Sequence, residues 1–155
     1  MATNDLIQKL PAKGEDPLTS ETMSHRRTVE TFIAGGTIAI GDVVAWEDSK
    51  TGAEAAYTVE AAGAVATGNP LACGVAITAA TAGQRVDVVT AGYVAKAKAG
   101  TIAGTGSLVG AIGAAEVGTM PVQATSGTVA WQSVFGVTLK SKVGNFVEMM
   151  VYRRF

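Results

Sequence analysis

Gly74-Val75-Ala76-Ile77-Thr78, the turn Ala82-Gly83-Gln84, and then Arg85-Val86-Asp87-Val88-Val89 read as strand, turn and strand. Short β-branched runs bounded by Gly are the pattern of a strand that buries one face. Working outward, Asp42-Val43-Val44-Ala45-Trp46 has the same character, and Lys50-Thr51-Gly52 and Thr67-Gly68-Asn69-Pro70 supply further turns. Short strands at this spacing fit an all-β fold, a compact β-barrel or sandwich, better than an alternation with helices. Gly and β-branched residues are too frequent for helices of any length. One short helical turn is expected inside Ala53–Ala66, and Phe146–Phe155 reads as a last strand with a basic end, paired within the sheet.

Laying the two halves of this region together shows a repeat. Thr37-Ile38-Ala39 and Gly41-Asp42-Val43-Val44 return as Thr101-Ile102-Ala103 and Gly106-Ser107-Leu108-Val109. Gly74-Val75-Ala76-Ile77 returns as Gly136-Val137-Thr138-Leu139, and Gly83–Val89 returns as Gly144-Asn145-Phe146-Val147-Glu148-Met149-Met150. Order is kept throughout. If the repeat is structural, residues 37–95 and 101–152 form two similar β units in one barrel or sandwich.

Residues 1–31 differ from the 32–155 body. They hold nine of the 25 charged side chains, two of the four prolines and the only histidine. Pro11 and Pro17 break any long helix, and few apolar anchors are present, so this segment is expected to be an extended arm that orders against something else. It has no continuous apolar core of a secretory signal, and no run in the chain approaches a membrane-spanning length. The chain is therefore expected to be made and retained in the cytoplasm.

With 48% hydrophobic residues, 6% aromatics and 19 glycines, the 155-residue chain builds its core from small side chains. A net charge of −1 offers no clustered Lys and Arg for nucleic acid or an anionic membrane. The single cysteine, Cys73, lies in an apolar run and is expected to be buried, without a disulfide or a multi-cysteine metal site. His25 sits in the arm, where nothing holds it beside a nucleophile. Glu15-Asp16 and Glu47-Asp48 are the only adjacent acidic pairs, both beside turn residues, so no metal site is expected. The glycine runs at 104–106 and 110–113 lack the Lys-Ser/Thr of a phosphate loop. Trp46, Trp131, Tyr57, Tyr93 and Tyr152 are expected to be core anchors rather than a sugar platform. Neither an enzyme nor a cofactor is expected.

Ala34–Val44, Leu71–Ala76 and Ala80–Val88 together resemble the small capsid-cement (decoration) proteins of tailed bacteriophages. The shared pattern is a Gly-Asp-apolar-Val strand, a Gly-Val-Ala strand, and an Ala/Gly turn leading to an alternating Val strand that ends at Gly92. It covers roughly Phe32–Gly100. The resemblance implies a β-barrel, attachment to the major capsid protein on the outside of the coat, and self-association as a trimer, in a protein made in the host bacterial cytoplasm. The arm and the half after Gly100 are departures from the family pattern. Leu6, Ile7, Leu10, Pro11, Pro17, Leu18, His25, Arg26 and Arg27 are the arm residues expected to touch coat or a neighbouring subunit.

Two other readings stay open. One is a tail or receptor-binding accessory protein of the virion. The other is a biotinyl- or lipoyl-type carrier domain, which resembles this chain in its pseudo-symmetric β sandwich and Gly-Asp-x-Val strands. Lys96 would then be the modified residue at a hairpin tip, although Ala95 and Ala97 flank it where carriers have Met or Asp.

Overall fold

The computed structural model describes residues 27–63, 69–113, 115–119 and 134–152. The elements are β1 Arg27–Ala34, β2 Val43–Trp46, a 3₁₀ turn Gly52–Ala56, β3 Thr58–Ala61, β4 Ala72–Ala76, β5 Arg85–Lys98, β6 Leu108–Gly113, β7 Glu116–Thr119, β8 Val134–Thr138 and β9 Phe146–Val151. The fold is all-β, and the helical turn begins one residue before the expected Ala53–Ala66 stretch and ends inside it.

A five-stranded barrel closes first. β1 runs parallel to β3 and antiparallel to β5, β2 pairs with β3 and β4, and β4 pairs with β5. Strand β5 is 14 residues long and continues past this barrel. Its second part pairs with β9 at Ala97↔Val147 and Lys98↔Phe146, while β9–β8, β8–β6 and β6–β7 follow in order. A parallel bridge, Ala99↔Val117, brings β7 back to the end of β5. The second set of strands thus repeats the first, and β5 is the last strand of one and the first of the next.

The repetition extends to single residue pairs. Val43↔Val75 and Val44↔Gly74 in the first barrel match Leu108↔Val137 and Val109↔Gly136 in the second, each followed by a register irregularity. Val75↔Val89 and Ala76↔Val88 match Val137↔Met150 and Thr138↔Met149. Phe32↔Val86 and Ile33↔Arg85 match Ala97↔Val147 and Lys98↔Phe146. Trp46↔Val59 matches Ala111↔Val117, and the parallel Ala34↔Val59 matches Ala99↔Val117.

Two pairs of glycines explain why the motif survives. Gly41 and Gly106 have φ of 90° and 77°, and Gly83 and Gly144 have 81° and 60°, a region that costs an L-residue about 1–2 kcal/mol. The Gly41 N–H donates to the Ala76 carbonyl at 2.8 Å, as the Gly106 N–H does to Thr138. Gly74 and Gly136 have a different reason. A Cβ on either would fall on a cross-strand carbonyl, of Val89 or Met150 respectively.

Each barrel has a buried interior. Phe32, Ala34, Val44, Val59, Cys73, Val86 and Val88 fill the first. The equivalent Ala97, Ala99, Val109, Val117, Phe135, Val147 and Met149 belong to the second cluster. That cluster also takes in the outer flank of the first barrel, including Val43, Ala45, Ala72, Val75 and Val89, so the two barrels share one packed junction. Ala115 fastens the junction: its carbonyl accepts the Val43 N–H at 2.9 Å and its own N–H donates to Ala62 at 2.8 Å. It is the one described non-Gly residue with positive φ, 57°.

Three expectations are corrected. Arg27–Thr31, read as the end of the arm, form the start of β1. The charged Arg27 and Glu30 hid the alternation, but Thr31 Oγ1 donates to Asp87 and Thr90 Oγ1 to Glu30, so these polar groups are satisfied by β5. Tyr57 and Tyr152 are 44% and 45% exposed rather than core anchors. Tyr93 is half-buried, Trp46 packs against the first interior as expected, edge to face with Phe32, and Trp131 lies outside the described residues. Small side chains together with Phe32, Trp46 and Phe135 already fill the two interiors, which leaves little room for the tyrosines. Finally, the repeated unit is wider than 37–95 and 101–152, because β1 and β3 also have counterparts.

Candidate functional site

Of the arm residues, Leu6, Ile7, Leu10, Pro11, Pro17, Leu18, His25 and Arg26 lie outside the described residues. Arg27 opens β1, exposed and opposite Gly92. Lys96 is exposed but stands within β5, beside its irregularity, and is not at a hairpin tip. A carrier lysine must project from a tight turn to reach its partners, so the position does not suit that role. Buried Cys73 has its thiol pushed up to about 12 by desolvation, which removes it as a nucleophile at neutral pH. Among the described residues no group of three His, Cys, Asp or Glu side chains could hold a metal ion, and no helix is long and apolar enough to cross a membrane.

What the chain does present is two differently charged surfaces. From Arg27 to Gly92 there are seven carboxylates against three basic side chains, net −4. From Tyr93 to Tyr152 there are four lysines against two glutamates, net +2. On the first barrel Glu47, Asp48 and Glu60 lie close enough that Glu60 is held above the ordinary carboxylate range, by burial first and then by repulsion from Glu47 and Asp48. One Glu47 oxygen, Oε2, is buried without a hydrogen-bond partner.

On the second barrel a cleft of about 210 Å³ is lined by Ala95, Lys96, Lys140, Ser141, Val143, Phe146, Val147 and Glu148. Lys140 Nζ donates to Glu148 Oε1 at 2.8 Å, and Tyr93 Oη donates to Oε2 at 3.1 Å. The lysine bond holds Glu148 below, and Lys140 above, their ordinary ranges. Tyr93 is raised, first by burial and then by the glutamate. Val143 and Phe146 are 80% and 39% exposed, so the cleft joins apolar surface to two ammonium groups. It suits a partner surface with apolar and acidic side chains.

At the matching place the first barrel carries different side chains. Its equivalents of Lys96, Lys140, Phe146 and Glu148 are Thr31, Thr78, Arg85 and Asp87. There Thr31 donates to Asp87 Oδ1 at 2.7 Å, and Thr78 Oγ1 accepts the Asp87 N–H at 2.8 Å. The cleft was not foreseen from sequence, although the repeat contained part of the signal: Phe146 stands where the first copy has Arg85.

Between the barrels, Lys98 Nζ lies 3.8 Å from Asp42 and 3.9 Å from Glu116. At these distances and with partial exposure, the pairs align the junction more than they stabilise it.

No protein-family model and no curated protein matches the chain. Among solved structures, the chain is similar to the head fiber gp8.5 N base in bacteriophage phi29. That match has a TM-score of 0.49 and 16% identity, and covers 82% of this chain and 95% of that one.

Proposed function

We propose that this chain is a structural virion protein, a capsid decoration subunit that binds the major capsid protein on the outer coat lattice and stabilises the mature phage head. The observation that carries the reading is where the cement-like residues fall. Gly41, Gly83 and Gly92 all have positive φ, and Gly74 sits against the Val89 backbone. The resembling stretch is therefore the set of residues that shapes one complete barrel, and the half that departed from the family pattern is a second barrel with the same register.

In this reading two rigid barrels ride on the coat and the segment before Arg27 extends across a neighbouring subunit. Ordering a polar arm only on binding adds contact area without enlarging the body. A subunit that binds only the expanded lattice stabilises it by RT ln(1 + [L]/Kd) at each site, and many sites sum over the shell. Self-association as a trimer belongs to the same proposal. No cofactor or catalytic step enters.

The test is to band particles from infected cells on a density gradient and quantify this chain against the major coat protein by mass spectrometry. About one copy per coat subunit supports decoration. A few copies per particle would move the chain to the tail, and absence from particles would refute a virion role.

A further inference from the structure

The contact between the two barrels joins unlike surfaces. The first barrel contributes its flank, with Val43, Val75 and Val89 each 0% exposed. The second contributes its rim, Val94, Ala111 and Val151, at 2%, 0% and 2%. All six belong to one buried cluster, and the Asn69 N–H donates to the Ala111 carbonyl at 2.8 Å across the junction.

Because the fold is duplicated, each barrel carries both surfaces, and among the described residues one of each is left over. The rim of the first barrel is Val29, Trp46 and Thr90, which stand in the chain repeat where the second has Val94, Ala111 and Val151, although the β5–β9 irregularity sets Val94 opposite Met149 while Val29 is opposite Val89. Val29 is 41% exposed, and Trp46 and Thr90 are half-buried. The flank of the second barrel is Leu108, Val137 and Met150, equivalent to Val43, Val75 and Val89, and all three are half-buried. Five of these six leftover positions remain apolar, which surfaces meant only for water do not require.

The charges complement one another. Glu30, bonded to Thr90, and Glu47, next to Trp46, border the free rim. Lys140 borders the free flank, paired with Glu148 on the same strand as Met150. The barrel bearing the rim is net −4 and the barrel bearing the flank net +2.

We infer that a second copy of this chain seats the rim of its first barrel on the flank of the second barrel, repeating between molecules the junction already present within one. This deepens the self-association proposed above, and it rests on the duplication and the charges, not on the virion argument. The contact is heterologous, so each pair still exposes one rim and one flank, and the assembly either closes as a ring or grows as a filament. A trimer would be a closed ring of six barrels.

Sedimentation velocity of the full chain over a concentration series, at low and high salt, tests this. Wild type is expected to gain mass with concentration and to lose it at high salt. Val29→Asp and Met150→Asp, each confirmed folded by its thermal melt, are expected to be monomeric alone. Mixed in equal amounts, they are expected to form a 1:1 dimer and nothing larger, since only one intact rim and one intact flank remain. Should Met150→Asp fail to fold, Lys140→Glu decides the matter through a side chain that is 68% exposed, with an expected loss of association of about tenfold at low salt. A monomeric wild type, single variants that associate as wild type does, a mixture that stays monomeric, or an unaffected Lys140→Glu would each overturn the inference. Particle copy number is untouched by this experiment, so its failure would leave the decoration proposal standing.

Discussion

The two barrels use the same frame and fill it from different strands. In the first, the bulk comes from β1 and β2: Phe32 and Trp46 meet edge to face, with ring centroids 5.1 Å apart at 87°, while β4 contributes only the small Cys73 and Ala76. In the second, the positions of Phe32 and Trp46 are Ala97 and Ala111, and Phe135 on β8 takes the place of Cys73. Volume has moved across the interior while the ladder positions that line it stayed fixed. The backbone is thus set by hydrogen-bond register and by a few glycines, and the side chains need only fill a given space in one of several ways.

The largest effect is expected where that exchange is tested directly. Phe135 is 1% exposed, so Phe135→Ala should cost about 3–5 kcal/mol in urea unfolding, whereas Cys73→Ala at the matching site should cost only about 1 kcal/mol. Moving the first barrel toward the second sharpens the comparison. Phe32→Ala alone should cost about 3–5 kcal/mol and Cys73→Phe alone about 1–3 kcal/mol by overpacking. The double variant should cost clearly less than their sum, because the new ring fills the vacated space. Additive costs would break the claim that the two interiors are one frame.

Next come the close-approach glycines. Gly74→Ala and Gly136→Ala both drive a Cβ onto a cross-strand carbonyl, and each should cost about 2 kcal/mol or more. The first should cost more. Beside Gly74 the added carbon also meets Cγ1 of stiff Val88, whereas beside Gly136 it meets the mobile methyl end of Met149. Equal losses in thermal melts would mean that the backbone contact alone decides.

Gly41 and Gly106 separate the shared frame from the junction. Gly106→Ala meets open space and should cost only the positive-φ strain, about 1–2 kcal/mol. Gly41→Ala adds contacts at 3.0 Å with the Phe146 ring and 3.1 Å with the Lys96 carbonyl, both from the second barrel. It should cost about 1 kcal/mol more. Matching losses would show that the second barrel yields freely at that point.

These glycines also show what sequence could reveal. Gly41/Gly106 and Gly83/Gly144 stand out because their positive φ favours glycine, and Gly74/Gly136 because a cross-strand carbonyl lies where a Cβ would be, so the β2–β4–β5 and β6–β8–β9 correspondence was legible. The β3/β7 match was not. Thr58-Val59-Glu60-Ala61 and Glu116-Val117-Gly118-Thr119 share only a valine, and the connection before β3 carries a 3₁₀ turn where β6 and β7 are two residues apart. Nor was β1 legible, since its partner in the repeat is hidden in the second part of β5. A strand serving two barrels gives no boundary in composition. The rim and flank were beyond reach for a further reason: a half-buried Leu108 and a fully buried Val43 look alike until the packing around them is known.

The smallest effects concern charge, and here the barrels should respond to pH with opposite sign. Glu60, on the first barrel, has a folded-state pKa raised by burial and by Glu47 and Asp48. Folding thus strengthens its hold on a proton, a contribution present below the unfolded value and lost as pH rises through the folded one. Glu60→Gln should therefore melt about 1 °C higher than wild type at pH 7, with the gain gone below the unfolded carboxylate range. Glu148, on the second barrel, is lowered by its bonds from Lys140 and Tyr93. Its contribution is present above the unfolded value and lost as pH falls through the folded one, so Glu148→Gln should melt lower than wild type at pH 7 and match it in acid. Melts of both variants from pH 3 to 7 should show differences from wild type that run in opposite directions. Parallel curves would mean that the acidic and basic characters of the two barrels do not reach their stability, and that the charge difference acts only on what the surfaces meet.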